Sequence, residues 1–157
     1  MKDADLIGAW HLVRTEITLP DGNKYPVPNY GSDPRGYLIY DASHVMCVFL
    51  AVGESRDLPP PQYRDLMPPI PASYCARWEI AADGNTVLHH VLVGNDPALL
   101  IAPQRRKVTL RGRILELRRD PPPADLRDYV LIFEKVNDVR STAGQSATTG
   151  AATTELP

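Results

Sequence analysis

The chain has 157 residues and a formal net charge of -2, enough for one domain with a sizeable core but not the basic excess that nucleic acid asks of a partner. No run approaches the ~20 apolar residues of a membrane helix, and the opening MKDADLIGAW is charged where a signal peptide is apolar. Two cysteines, Cys47 and Cys75, are too few for a disulfide framework, so the expectation is two reduced thiols in a cytoplasmic protein, with no membrane partner.

Taken in order, the first element is a strand over residues 8–19, entered through LIGAWHLVRTE. Its alternation puts Trp10, Leu12, Arg14 and Glu16 on one face and His11, Val13, Thr15 and Ile17 on the other. The turn PDGN ends it, and residues 25–34 hold too much Pro and Gly for regular structure. A short second strand, 36–41, hairpins into a nearly all-apolar third, 44–52, whose two faces should both be covered. Residues 53–72 carry two proline clusters around at most two helical turns at 62–67. This segment is either a lid or binding loop, or a crossover stiffened by proline. Strand four, 73–81, turns at Asp83-Gly84-Asn85 into strand five, 86–93. A loop over 94–103 contains the apolar run ALLI, and strands six (104–110) and seven (113–119) meet at Arg111-Gly112. After three prolines comes strand eight, 127–136, and then a small, polar, low-complexity tail read as disordered over 138–157. Eight strands, short connections and little helix predict an all-β, antiparallel barrel over 6–137, its first strand closing against its last. That is the strand number at which a barrel just holds one small ligand.

The order LIGAWHLV, DPRGYLIYDASHVMCVFL, YCARWEIAADGNTVLHHV and VLIFEKV, spread over about residues 6–136, resembles the bacterial lipocalin-like domain family. That resemblance implies an eight-stranded lipocalin-like barrel with an internal cavity, and it fixes no reaction. The chain departs from the family pattern in three places. The segment before strand four is broken by proline, the closing Trp-Glu-Arg is Phe133-Glu134-Lys135, and VGNDPALLIAP follows strand five. These departures make the ligand end of the barrel this chain's own.

Register follows from keeping Glu79 and Glu134 in water, because a buried unpaired carboxylate is costly. Alternation then sends Leu38, Tyr40, Met46, Val48, Tyr74, Trp78, Val91, Leu115, Leu117, Tyr129 and Phe133 inward, an apolar, aromatic, ligand-binding wall. Trp10 should plug the closed end with Lys135 stacked on it, as in lipocalin-type barrels. His89 and His90 are neighbours on a strand and face opposite ways, so they cannot share a metal, and no metal site is expected. His89, in phase with Val87, Val91 and Val93, is the one expected inside. It is either a core histidine satisfied by a tyrosine or a backbone group, or an acid/base with a pKa near neutrality. Arg14 and Glu16 on the inward face must pair or sit at a wet rim. The basic hairpin around Arg105, Arg106, Lys107, Arg111, Arg113, Arg118 and Arg119 reads as a solvated face, with a polyanion site as the sharper alternative.

No phosphate loop, dinucleotide fingerprint, nucleophile elbow or zinc-protease motif is present. Two function classes remain. One is a cofactor-free cyclase or isomerase for a polyketide- or terpenoid-like molecule, in secondary metabolism. Arg14 would hold an oxygen, and His89 or Tyr40 would move a proton. The other is a non-catalytic carrier or sensor of a small hydrophobic ligand. Phe49, Cys47 and Cys75 on the outer surface also make a homodimer an expectation.

Overall fold

In the computed structural model, residues 1–54, 56–66 and 70–137 are described. The tail expected over 138–157 and the middle of the proline-rich loop lie outside them. A short helix, α1 (Asp3–Leu6), leads into β1 (Gly8–Thr18), β2 (Lys24–Tyr25), β3 (Arg35–Tyr40) and β4 (Val45–Ala51). After α2 (Pro61–Arg64) come β5 (Tyr74–Ile80), β6 (Thr86–Gly94), β7 (Gln104–Arg111), β8 (Ile114–Arg119) and β9 (Asp128–Lys135). A 3₁₀ turn (Pro97–Leu100) lies between β6 and β7.

All eight long strands pair antiparallel with their neighbours, and β1 pairs with β9 to close the barrel. The two-residue β2 adds only a flap on the far half of β1. The expected all-β barrel is therefore what forms. Its helix is confined to short pieces at the N-terminus and in the two loops at one end.

Alternation holds where the hydrophobic pattern is clean. Strand β3 reads exposed–buried throughout, with Leu38 and Tyr40 inside and Tyr37 and Ile39 outside. It fails at two bulges. Between Leu12 and Arg14 the register of β1 against β9 slips by one residue. The inward set becomes Trp10, Leu12, Thr15 and Ile17, and the expectation that Arg14 and Glu16 point inward is corrected. Arg14 is exposed, and Glu16 bonds Lys24 at 2.7 Å outside. The physical reason is that one inserted residue flips every later side chain. Keeping the alternation would have put two charges in the core in place of Thr15 and Ile17. The second slip lies between Cys75 and Ala76, opposite Val93 and Val91. It leaves Val93 62% exposed, out of phase with the buried Val87 and His89.

The cysteines also differ from expectation. Cys47 and Cys75 are directly opposed on β4 and β5, with Cα atoms 4.1 Å apart, and form a disulfide. Both point outward in adjacent strands. Their pairing is a consequence of strand register, which a spacing of 28 residues does not reveal. Disulfides persist in oxidising surroundings, so the argument from reduced thiols to the cytoplasm no longer holds. No described helix is long and apolar enough to cross a membrane.

One end of the barrel is sealed. Trp10 is fully buried there, its Nε1 donating to the Leu6 carbonyl at 2.8 Å, and Lys135 Nζ lies 5.0 Å from its ring centre. Trp78 donates to the Asp41 carbonyl at 3.2 Å and stacks on His44. Loops cover the other end. The segment after β2 is tied to the barrel by Val27 N–H donating to the Thr15 hydroxyl at 3.0 Å. It is tied to the following loop by Ser32 N–H donating to the Glu54 carbonyl at 2.9 Å. The two segments touch backbone to backbone. A Cβ at Gly53 would come within 2.1 Å of the Tyr30 carbonyl, and Gly31 has φ +70°. Only glycine admits that approach.

Candidate functional site

Under these loops lies a cavity of about 330 Å³, at the lower end of the range for small-molecule sites. Strands β6 and β7 pair only over residues 86–89 and 104–107. The outer half of β6 is thus unpaired with β7, and the 3₁₀ turn fills the gap with Leu99. Gln104 holds this lip by donating to the carbonyls of Leu99 and Ala102.

The mid-barrel wall is apolar: Leu38, Met46, Val48, Leu117, Leu131 and Phe133 face the cavity. Tyr74 and Tyr129 face it too. Four residues expected on this wall do not reach it, and one of them, Tyr40, stands behind His89. Trp78 and Leu115 are buried below it, toward the sealed end, and Val91 packs beside the second bulge. Facing inward and facing the cavity differ because the lower barrel is filled with side chains.

His89 is the polar centre of the wall, only 1% exposed. Its Nδ1 lies 2.8 Å from the Tyr74 hydroxyl and its Nε2 lies 2.8 Å from the Tyr40 hydroxyl. Desolvation, reinforced by the Arg106 charge, holds the imidazole well below its ordinary pKa. It is therefore neutral at physiological pH. One ring nitrogen donates and the other accepts. His90 points outward and pairs with Glu79 at 2.9 Å. Burial pushes the Tyr40 hydroxyl well above its ordinary range. Burial also raises Tyr74 above its ordinary range, and Arg106 offsets part of that rise by charge and by a hydrogen bond. A second pair, Tyr30 and Tyr129, shares a hydrogen bond, and burial raises both.

Of the three residues expected to do chemistry, His89 lines the cavity, Tyr40 stands behind it, and Arg14 lies outside the barrel. The cations on the cavity lining are Arg106 and Arg119. The basic hairpin sorts by alternation: Arg105 and Lys107 face out to Asp120, and Arg118 to Glu116 and Asp128. Arg106 and Arg119 turn to the cavity. The signal was in the sequence, since Arg106 is in phase with Val108 and Leu110, and Arg119 with Leu115 and Leu117. It was lost when the hairpin was read as one face. Tyr30, Leu66 and Ile70 also line the cavity. They come from loops, where no periodicity marks a direction. No cluster of three metal-ligating side chains occurs among the described residues.

No curated protein matches the chain. A family model, the lipocalin-like domain, matches residues 7–136. The match runs from the strand that carries Trp10 to the end of the strand that closes on it. Together with the sealed end, the β1–β9 closure and the cavity at the other end, it shows that the chain belongs to the lipocalin-like domain family.

Proposed function

We propose that the barrel binds one small hydrophobic molecule of polyketide- or terpenoid-like character and moves a proton within it, without a cofactor, as isomerisation or cyclisation requires. The family and the apolar cavity support hydrophobic ligand binding. The observation that carries the chemical step is the hydrogen-bonded Tyr40–His89–Tyr74 chain, whose His89 and Tyr74 line the cavity.

In this reading Tyr40 donates to Nε2 of His89, which leaves the Nδ1–H pointing at the Tyr74 oxygen. The hydroxyl proton of Tyr74 is then free to go to an atom of the ligand. The resulting tyrosinate is held by Nδ1–H and by Arg106, and it recovers a proton from a second position on the ligand. The protein ends as it began, and the ligand has moved one proton. Arg106 thus takes the place that Arg14 cannot fill. Water is kept away by the loops over the mouth. Tyr40 touches no ligand in this scheme; it sets the tautomer of His89.

The experiment is solvent-deuterium incorporation into a co-purified or added apolar ligand, read by mass spectrometry. Tyr74→Phe and His89→Ala should slow incorporation by roughly two to four orders of magnitude, while the neutral dye N-phenyl-1-naphthylamine still binds. Equal rates in wild type and variants would overturn the scheme. A carrier or sensor is the second reading, and the complete satisfaction of His89 by two tyrosines favours it. A retained ligand that never exchanges would establish that reading instead. We further propose that a second copy packs on the outer face where Tyr37 and Phe49 are paired and 54% and 71% exposed. A monomer at micromolar concentration in light scattering would remove that idea.

A further inference from the structure

We infer that the ligand of the cavity carries an anionic oxygen group, a carboxylate or a comparable oxyanion, held at the mouth by Arg106 and Arg119. The inference rests on the reading that the cavity holds a small hydrophobic molecule, and it names the polar end of that molecule.

Arg106 and Arg119 are directly opposed across β7 and β8, and both line the cavity, Arg106 half-buried and Arg119 exposed at the rim. Like charges placed opposite one another on one face of a sheet repel. Their outward neighbours resolve their own charge locally. Arg105 and Lys107 both reach Asp120, and Arg118 reaches Glu116 and Asp128. Among the described residues no carboxylate lies within ion-pairing distance of Arg106 or Arg119, although Asp120, the residue after Arg119, pairs with Arg105 and Lys107. Asp96, the acidic residue on the cavity lining, has one oxygen occupied by the Ala98 N–H at 2.9 Å. The lining therefore carries two guanidinium groups against one carboxylate, in a chain whose formal net charge is -2.

The rest of the lining near the arginines is neutral: Gln104, Tyr30 and Tyr129. Guanidinium groups bind carboxylates through two parallel N–H···O bonds, and Coulomb attraction is strong where apolar walls exclude water. The ligand that matches this site is amphipathic. Its apolar body fills the space between Leu38, Met46 and Phe133, and its oxyanion sits at the β7–β8 rim. Arg106 also hydrogen-bonds Tyr74, so that orientation brings the ligand against Tyr74 and His89.

The test uses two dyes that share one aromatic skeleton, neutral N-phenyl-1-naphthylamine and its sulfonate, 8-anilinonaphthalene-1-sulfonate, titrated into the full chain. Arg106→Gln and Arg119→Gln should each weaken the sulfonate about ten- to a hundredfold and leave the neutral dye nearly unchanged. Arg106→Lys should restore part of the loss. Arg105→Gln removes the same charge from the outer face and should change neither dye, and circular dichroism checks that each variant is folded. Equal losses for both dyes, an equal loss in Arg105→Gln, or no loss at all would overturn the inference and leave the hydrophobic cavity standing. Failure of the neutral dye to bind wild type would overturn the cavity reading, and this inference with it.

Discussion

The two ends of the barrel are built on opposite rules. At the sealed end each large side chain finds its partner in the backbone. The Trp10 indole reaches the Leu6 carbonyl, the Trp78 indole reaches Asp41, and Lys135 covers what remains of the Trp10 ring. At the open end polar side chains find each other: Tyr74 bonds His89, which Tyr40 holds from below, and Tyr30 bonds Tyr129. Two arginines face each other without an acid. Satisfying an indole from a carbonyl fixes a core. Satisfying a tyrosine from a histidine leaves protons that can move and groups that can exchange partners with a ligand. The sealed end holds the fold, and the open end holds the chemistry.

The largest effect expected from this contrast is at Trp10. Trp10→Ala should destabilise by about 3–5 kcal/mol, the usual cost of deleting a buried Trp. Ile70→Ala at the mouth, where that residue is 63% exposed, should stay within about 0.5 kcal/mol. Denaturant melts of the two variants measure the difference, and equal losses would break the comparison.

Next comes the clasp between them. The Cys47–Cys75 disulfide closes a 28-residue span that contains the proline-rich loop. Replacing both cysteines by serine should remove about 2–4 kcal/mol, as expected for a loop of this length. A thiol assay on the unfolded, unreduced protein should read no free thiol. Two free thiols would return the protein to the reduced state first expected from its cysteine count.

The third effect is pH dependence. His89 is held well below its ordinary value in the folded chain but titrates near 6.5 once unfolded. Below pH 6.5 the unfolded state therefore binds a proton that the folded state does not, and stability falls as pH falls. The slope is about 1.4 kcal/mol per pH unit, beginning below pH 6.5 and continuing to the folded pKa. Asp41 and Asp83, both lowered by hydrogen bonds to neighbouring residues, act in the same direction, but only near pH 4 and below. The window from 6.5 to 5 thus reads histidine. His89→Gln should flatten the curve there, and an unchanged curve would mean that His89 is not sealed.

Most of the sealed end was legible in the sequence. Gly-x-Trp at the start, Lys135 at the end and clean alternation in β3 fix strand order, closure and the Trp10–Lys135 stack. The open end was legible only in its strand-borne part, such as Leu38, Met46, Tyr74 and His89. Its loop-borne part, such as Tyr30, Leu66 and Ile70, depends on how three irregular segments cross, and periodicity carries no such information. Bulges are the other blind spot. An inserted residue leaves the pattern of residue types intact and reverses its meaning, as at Val13. The burial of Arg14 and Glu16 that strict alternation demanded was the one physical warning that the pattern had to break.

That warning gives the smallest and sharpest prediction. Strict alternation places Arg14 inside beside His89; the bulge places it on the outer surface, opposite Ile132 on β9. An inward arginine would be a buried charge, and its removal would change stability or ligand binding by several kcal/mol. An outward, exposed arginine stacked only along the sheet surface should be worth no more than about 0.5 kcal/mol. Arg14→Ala should therefore melt with wild type and bind both naphthyl dyes with unchanged affinity, while Arg106→Gln loses the sulfonate. If Arg14→Ala instead loses the sulfonate and Arg106→Gln does not, the bulge is absent in solution. The inward face of β1 would then follow the alternation of its sequence, and the cation of the cavity would be Arg14.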